Sequence, residues 1–349
     1  MLVRQVEDEL LRRMKTGQYA PGEKLPSIRE MSGEFGCSYV IAFRAVRTLK
    51  QAGCLETFKG SGTFVARDIQ KRLNKKLLAY IFDKSGTTRL NLHDSLRYTF
   101  FQRMVREAGY TDIALQEDEL FSPAELDSLA GALITLRTPQ MEELLARKIP
   151  CVFISSLGNP YHLPSVIPDF YQGSRDVMLH LIRRGYRRIG CITIDSGEFN
   201  RSSFLPREQA YSDVLRETGL PVPVPLEWNI GKEETQIRFR ELMSNPRHPE
   251  AFFVPNDKLA LEVIQVLAEM GFRVPEDIGI AGLENMEFLY RPTLPLTSAS
   301  FDNAALVREA CSLLLNWIDH PQKPPENRTI PMTLQIRKST EKTSVQKYE

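Results

Sequence analysis

The stretch that decides the fold reads LPSIREMSGEFGCSYVIAFRAVRTLKQAGCLETFKGSGTFVAR and spans residues 25–67. Its first part predicts two short helices joined by a tight turn. Ser27, with Glu30 three residues later, has the capping-box spacing that begins a helix. Gly36 ends that helix, because glycine adopts positive φ without a steric penalty.

The second helix of this stretch is predicted to have two unlike faces. Ser38 caps it and Gly53 stops it after about Ala52. At helical spacing, the core face carries Ala42, Ala45, Val46 and Leu49, and the outer face carries Val40, Arg44, Arg47 and Gln51. The outer face suits a DNA major groove, where N-terminal residues reach base edges and arginines meet phosphates or guanine. Taken alone, this face could equally be a solvated charged surface.

A strand, a glycine turn and a second strand follow directly, written CLETF, KGSG and TFV over residues 54–65. A ribbon tipped with Lys59 and two glycines lets backbone approach a phosphate or enter a minor groove. A glycine-tipped hairpin is weak evidence by itself. Placed directly after the two helices, it favours DNA docking over a solvated surface.

These motifs resemble the N-terminal DNA-binding domain of the GntR family of bacterial transcription regulators, over residues 1 to about 67. The resemblance carries the DNA contacts of the family to Arg29, Ser38, Tyr39, Arg44, Lys59 and Gly60, and the outer helix face adds Arg47. The family often has arginine at the positions of Tyr39 and Phe43, and threonine at that of Ile41. Base readout is therefore expected to differ here, with Tyr39 stacking on a base or contacting a thymine methyl.

Length and charge indicate further domains. At 349 residues the chain is too long to fold around one compact core, and two or three domains are expected. Residues 1–75 contain 14 Lys and Arg against 8 Asp and Glu, a net charge of +6. The remaining residues contain 31 against 36, a net charge of −5. A basic head on a mildly acidic body is typical of a DNA-binding domain joined to a ligand-binding domain.

The sequence lacks the motifs of enzymes, metal sites and membrane spans. The five cysteines are scattered without a C-x-x-C pair, which predicts reduced structural thiols. The five histidines form no pair at ligand spacing, and no nucleophile elbow, P-loop or dinucleotide fingerprint occurs. No apolar run approaches the ~20 residues of a membrane span. The prediction is a cytoplasmic protein that is not an enzyme and has no metal or other cofactor.

The predicted domain organisation has four parts. Residues 1–67 form a winged helix-turn-helix, 68–76 a polar linker, 77–340 an effector-binding and dimerisation domain, and 341–349 a polar tail. The head begins with a helix from Leu2 to about Thr16. One apolar stripe of this helix should pack against the docking helices: Val3, Val6, Leu10 and Met14.

From Leu77 onward, buried strands alternate with helices, which predicts an α/β fold with doubly wound parallel sheets in two lobes. The predicted strands are 77–82, 131–136, 150–155, 188–194, 251–255 and 278–283. The predicted helices are 93–107, 138–147, 171–184, 207–218, 232–243, 258–270 and 303–318.

This second part resembles the effector domain of the LacI/GalR repressors, which share the fold of periplasmic sugar-binding proteins. The resemblance covers roughly 77–338 and is carried by four stretches: 168–192, 207–211, 251–285 and 292–302. A GntR-type head on such a body is similar to the arabinose-repressor-like branch of the GntR family. The resemblance implies a small-molecule effector, most simply a sugar, held between the two lobes.

Candidate effector ligands follow from the ends of the strands, because ligands bind outside the carboxyl ends of parallel strands. These candidates are Asp83, Ser155, Phe170, Arg207, Asn256 and Glu284. Arg207 opens a helix after a polar loop, at the place where the family has a ligand arginine. Asp257 is expected to cap the helix that begins near Lys258, and Asn256 and Glu284 have either a ligand or a loop-structure role.

The sequence therefore predicts a homodimeric transcription regulator, a repressor by its resemblance, that binds double-stranded operator DNA and responds to a sugar. Three alternatives remain: a ligand-independent regulator whose effector domain only dimerises, a sugar-binding protein without DNA function, and an enzyme. Three experiments distinguish these alternatives. They are a screen for sugars that bind, a mobility shift on the protein's own promoter, and an assay for turnover of a sugar.

Overall fold

The computed structural model describes residues 3–51, 53–58, 60–67, 69, 77–82, 92–116, 118–135, 138–154, 159, 161–194, 197–228, 233–285, 295–322 and 324–342. The chain divides into two compact units. The first unit consists of Met1–Ile154, Tyr161–Val166 and Val307–Asn327, and the second of Ser155–Pro160, Ile167–Leu306 and Arg328–Glu349.

The N-terminal part of the first unit is a winged helix-turn-helix. Its elements are α1 (Val3–Lys15), α2 (Ile28–Glu34), α3 (Tyr39–Gln51), β1 (Leu55–Phe58) and β2 (Gly62–Val65). The capping box of α2 is confirmed, since Ser27 Oγ accepts from the Glu30 amide and the Glu30 carboxylate accepts from the Ser27 amide at 2.7 Å. Ser38 Oγ accepts from the Ile41 amide at 3.3 Å.

The core of this head is built from the predicted apolar stripes. Ala42, Ala45, Val46 and Leu49 of α3 are buried, as are Val6, Leu10 and Met14 of α1. Ile69 is also buried in this core, so it packs with the head although it was expected in the linker. Burying the small residues of α3 brings its backbone close to its neighbours and leaves its opposite face in solvent.

The rest of the first unit contains a four-stranded parallel sheet in the order β4–β3–β5–β6. Its elements are β3 (Leu77–Phe82), α4 (Leu92–Glu107), β4 (Thr111–Gln116), α5 (Pro123–Ser128), β5 (Leu129–Ile134), α6 (Met141–Ala146) and β6 (Cys151–Phe153). Residues of β3, β5 and β6 are buried in the hydrophobic core of this sheet, in agreement with their apolar runs.

The second unit is organised around a six-stranded sheet in the order β9–β8–β10–β11–β12–β14, parallel except for β14. Its strands are β8 (Ile189–Ile194), β9 (Leu226–Trp228), β10 (Ala251–Phe253), β11 (Gly279–Leu283), β12 (Thr297–Phe301) and β14 (Met332–Gln335). Its helices are α7 (Phe170–Arg183), α8 (Gly197–Glu217), α9 (Glu233–Ser244), α10 (Asp257–Glu269) and α11 (Asn303–Asp319). A separate ribbon pairs β7 (Val166–Pro168) with β13 (Arg328–Ile330).

The predicted class, a winged helix-turn-helix with parallel α/β sheets, is confirmed. Two helix starts differ from the expectation: the helix expected at 207 begins at Gly197 and continues through Pro206, and the one expected at 138 begins at Met141. Six strands were not predicted: β4, β7, β9, β12, β13 and β14. Most of these strands are only partly buried or only three residues long, so they lack the continuous apolar run that identified the others.

Within the described ranges, no helix is both long and apolar enough to cross a membrane. The same residues contain no group of three or more His, Cys, Asp or Glu placed to hold a metal ion. All five cysteines are free, and four of them are buried. Burial raises the pKa of Cys151 to about 12, which keeps that thiol protonated at neutral pH.

Candidate DNA-binding surface and effector site

The residues predicted to contact DNA lie on the exposed side of the head. Arg29, Ser38, Tyr39, Arg44, Arg47 and Gly60 are all exposed, whereas Lys59 lies outside the described residues. The fold explains the arrangement of the helical members. Once Ala42, Ala45 and Leu49 face the core, a helix of 3.6 residues per turn places Arg44 and Arg47 on the opposite side.

Arg44 and Arg47 of this surface differ from Arg13 on α1. Arg13 on α1 pairs with Glu9 at 2.9 Å and with Glu34. Within the described part of the head, by contrast, neither Arg44 nor Arg47 has a carboxylate within ion-pair distance. Two exposed guanidinium groups without counter-charges produce a local positive potential of the kind that attracts phosphates.

The wing ends in a turn that requires glycine. β1 and β2 are antiparallel, with Leu55 opposite Val65 and Phe58 opposite Gly62. Gly60 has φ +82° and Gly62 has φ +114°, which are values that other residues adopt only under strain. No heavy atom would lie within 4 Å of a Cβ at Gly60, so the tip of the wing is open. The turn can therefore come close to a DNA backbone.

The effector candidates in the second unit meet at the carboxyl ends of two neighbouring parallel strands. Pro255 and Asn256 follow β10, and Glu284 follows β11. Glu284 has φ +94°, a left-handed value for a residue that is not glycine. Strain of this kind persists where the surroundings determine the side-chain position, and here the carboxylate of Glu284 meets the guanidinium of Arg207.

Arg207 is the centre of this cluster. Its Nη2 donates to Glu284 Oε1 at 2.9 Å, and its Nη1 donates to the carbonyl oxygen of Pro255. Its guanidinium carbon lies 4.0 Å from the ring centroid of Phe170 and 4.7 Å from that of Phe204. Two aromatic faces and two acceptors thus hold the guanidinium, while its buried Nε has no hydrogen-bond partner among the described residues.

The two members of the ion pair differ in solvent exposure. The side chain of Arg207 is 1 % exposed and that of Glu284 is 13 % exposed. Burial lowers the pKa of Arg207, and the charges of Glu284 and Asp257 oppose that shift. Arginine stays protonated under these conditions. Glu284 is therefore the more accessible member of the pair, and the hydrogen bond from Arg207 holds its carboxylate in position.

Two expectations about this cluster were wrong. Arg207 does not open a helix, since it lies at the midpoint of α8, and its side chain is buried. Asp257 does not cap α10, because Asn256 is the N-cap and its Oδ1 accepts from the Leu259 amide at 3.1 Å. Asp257 is instead fully buried and accepts from Ser298 Oγ at 2.8 Å.

The structure brings Phe170, Arg207 and Glu284 into contact, with Asn256 adjacent to Pro255. Asp83 and Ser155 lie outside the described residues. Sequence reasoning missed two members of the cluster, Phe204 and the Pro255 carbonyl. Phe204 could have been found from its i, i+3 spacing to Arg207, which places both on one helix face. A backbone carbonyl carries no signal in the sequence.

Two family models match the chain. Residues 2–65 match the gntR family of bacterial regulatory proteins, and residues 178–340 match the periplasmic binding protein-like domain. The candidate DNA-binding surface lies in the first match. Arg207, Asn256 and Glu284 lie in the second, whereas Phe170 precedes it.

Individual relatives agree with these matches. The chain is 26% identical over 345 residues to the arabinose metabolism transcriptional repressor of Geobacillus stearothermophilus, covering 90% of each chain. Among solved structures, it is similar to a LacI family transcriptional regulator from Enterococcus faecium with bound ribose, with a TM-score of 0.63 and 19% identity over 77% of this chain and 100% of that one. The transcriptional regulator CelR in complex with cellobiose aligns with a TM-score of 0.62 and 19% identity, over 90% of this chain and 100% of that one. These two structures support the fold.

Proposed function

We propose that this chain, which joins a gntR-family DNA-binding domain to a periplasmic binding protein-like domain, is a transcription regulator, most simply a repressor, whose operator affinity is set by a neutral sugar bound at the Arg207–Glu284 cluster. The observation that carries the proposal is the presence in one chain of an unpaired cationic helix face and a preorganised carboxylate–guanidinium cluster at the carboxyl ends of parallel strands. The repressor relative named for arabinose metabolism supports it.

The charge balance of the cluster favours a neutral polyhydroxyl ligand over an anion. Arg207 has Glu284 at 2.9 Å, and the buried Asp257 adds a second carboxylate to its surroundings. Among the described residues of the cluster, the charge of Arg207 is therefore already balanced and is not free for a phosphate or a carboxylate of a ligand. A carboxylate such as that of Glu284 accepts hydrogen bonds from hydroxyl groups, which a sugar supplies in a fixed arrangement.

The regulator is proposed to act as a homodimer in the bacterial cytoplasm, where its DNA is. Two heads then contact two half-sites about one helical turn apart. A sugar that prefers one arrangement of the dimer changes how well the heads match the operator. A coupling free energy of ~1–3 kcal/mol changes operator affinity by five- to more than a hundredfold.

A gel shift on the protein's own upstream region, titrated with neutral monosaccharides, sugar phosphates and sugar acids, tests the proposal. We expect binding that weakens as salt rises, and a change in that binding with at least one neutral sugar. A thermal-shift screen in parallel shows which compounds bind. DNA binding without any sugar binder would indicate a ligand-independent regulator whose second domain only dimerises.

A further inference from the structure

The start of α3 exposes three large apolar side chains within five residues. Tyr39 is 50% exposed, Val40 55% and Phe43 44%. The rings of Tyr39 and Phe43 stack one helical turn apart, with centroids 6.3 Å apart and an angle of 12° between their planes. An apolar patch left in water is unfavourable, and patches of this kind mark binding surfaces.

Cations adjoin this patch on the same helix. Arg44 lies four residues after Val40, and Arg47 lies four residues after Phe43, so each arginine is the surface neighbour of an apolar side chain. This combination complements a DNA groove, where apolar groups on the base edges lie between two rows of phosphates. The patch therefore fits a DNA groove, and the apolar side chains of the patch indicate which bases it contacts.

We propose that Tyr39, Val40 and Phe43 recognise the C5-methyl groups of thymines in the major groove of the operator. The inference rests on the proposed function, in which α3 docks in that groove. Among the four natural bases only thymine presents a methyl group there, and apolar side chains recognise it by contact. Tyr39 and Phe43 are separated by about 6 Å along the helix axis. This separation is about two base-pair steps, so the two rings reach methyl groups of nearby pairs.

The same positions lack the side chains for other modes of base recognition. Bidentate hydrogen bonds to guanine need arginine or lysine, and bidentate bonds to adenine need asparagine or glutamine. Val40 and Phe43 have no polar atoms, and Tyr39 has a single hydroxyl. Sequence preference at the bases beneath this patch consequently comes from apolar contact. Arg44 and Arg47 supply the positive charge that attracts the phosphates.

The experiment uses the full-length protein and a duplex that the protein itself selects from a random-sequence pool. Each thymine of the selected site is replaced in turn by deoxyuridine, which removes only the methyl group. At one or more positions in each half-site, affinity should fall about fourfold per methyl removed. The variant Phe43→Ala should bind the thymine duplex more weakly and show no thymine-to-uracil difference at its own position. The control variant Arg44→Ala should weaken both duplexes equally and keep the ratio.

Each outcome bears on the inference. Equal affinity for thymine and deoxyuridine at every position, with tight and salt-dependent binding, would overturn it and leave the proposed function standing. A selected site without thymine would do the same. Failure to bind any duplex at low salt would overturn the proposed function and the inference with it. The comparison of bases needs no variant, so it does not depend on how a substitution folds.

Discussion

Arg207 is a buried charge at the centre of the proposed sugar site. It is buried between Phe170 and Phe204 and paired with Glu284. A buried ion pair contributes little net stability, but the loss of one partner leaves an uncompensated charge. Arg207 is therefore a positioning residue in the proposed site. The left-handed backbone at Glu284 fits this role, because such strain persists where the surroundings determine the side-chain position.

The variant Glu284→Gln tests this pairing. It removes the charge of the carboxylate that is hydrogen-bonded to the buried guanidinium of Arg207 and leaves only the charge of Asp257 to oppose the burial. We expect the unfolding free energy of the second unit to fall by about 3 kcal/mol. Unfolding is followed by the fluorescence of the buried Trp228 in a Trp317→Phe background, so that one tryptophan reports. The matched control is Glu217→Gln, which breaks the exposed pair with Arg175 and should leave the transition in place. Equal effects of the two substitutions would contradict the account.

At the scale of elements, the short 3₁₀ helix Lys338–Thr340 is fastened to the second unit by buried polar contacts. His180 Nε2 on α7 lies 2.8 Å from Thr340 Oγ1, which lies 2.8 Å from Thr297 Oγ1 on β12. Burial lowers the pKa of His180 below its usual 6.5, and the charges of Arg184 and Arg183 lower it further. The imidazole is therefore neutral in the folded protein at neutral pH.

This network predicts a pH dependence of stability. As the pH falls below 6.5, the unfolded chain takes up a proton on His180 before the folded chain does, so unfolding becomes more favourable. The contribution of His180 is present above pH 6.5 and is lost as the pH falls through its lower folded value. The thermal midpoint of the second unit should fall between pH 7 and pH 5, and less steeply in His180→Gln. The exposed His320 is the control, and His320→Gln should leave the slope unchanged; equal slopes in all three proteins would refute the prediction.

Elements with a strong local signal could be predicted from the sequence, and those fixed by distant partners could not. The capping box at Ser27 and the apolar stripe of α3 are local patterns, and both are present. The start of α8 was misplaced because Pro206 reads as a helix boundary. Asp257 was mistaken for a cap because its burial depends on Ser298, a residue 41 positions away in the sequence.

In the whole chain, DNA affinity is proposed to lie in the N-terminal head and sugar affinity in the second unit. Arg44→Ala should therefore weaken operator binding and reduce the slope of log affinity against log salt by about 1. Its affinity for the sugar, measured by calorimetry, should stay unchanged. A variant that kept its operator affinity and lost the sugar would show that the two functions are assigned to the wrong domains.

The most direct test of the central claim is the operator dissociation constant of the full-length protein, measured without sugar and with a saturating neutral sugar that calorimetry shows to bind. We expect the dissociation constant to change by at least fivefold in one direction. By linkage, the operator should change the sugar affinity by the same factor. An operator affinity that stays the same while the sugar is bound would contradict the claim that sugar bound at the Arg207–Glu284 cluster controls the DNA affinity of the head.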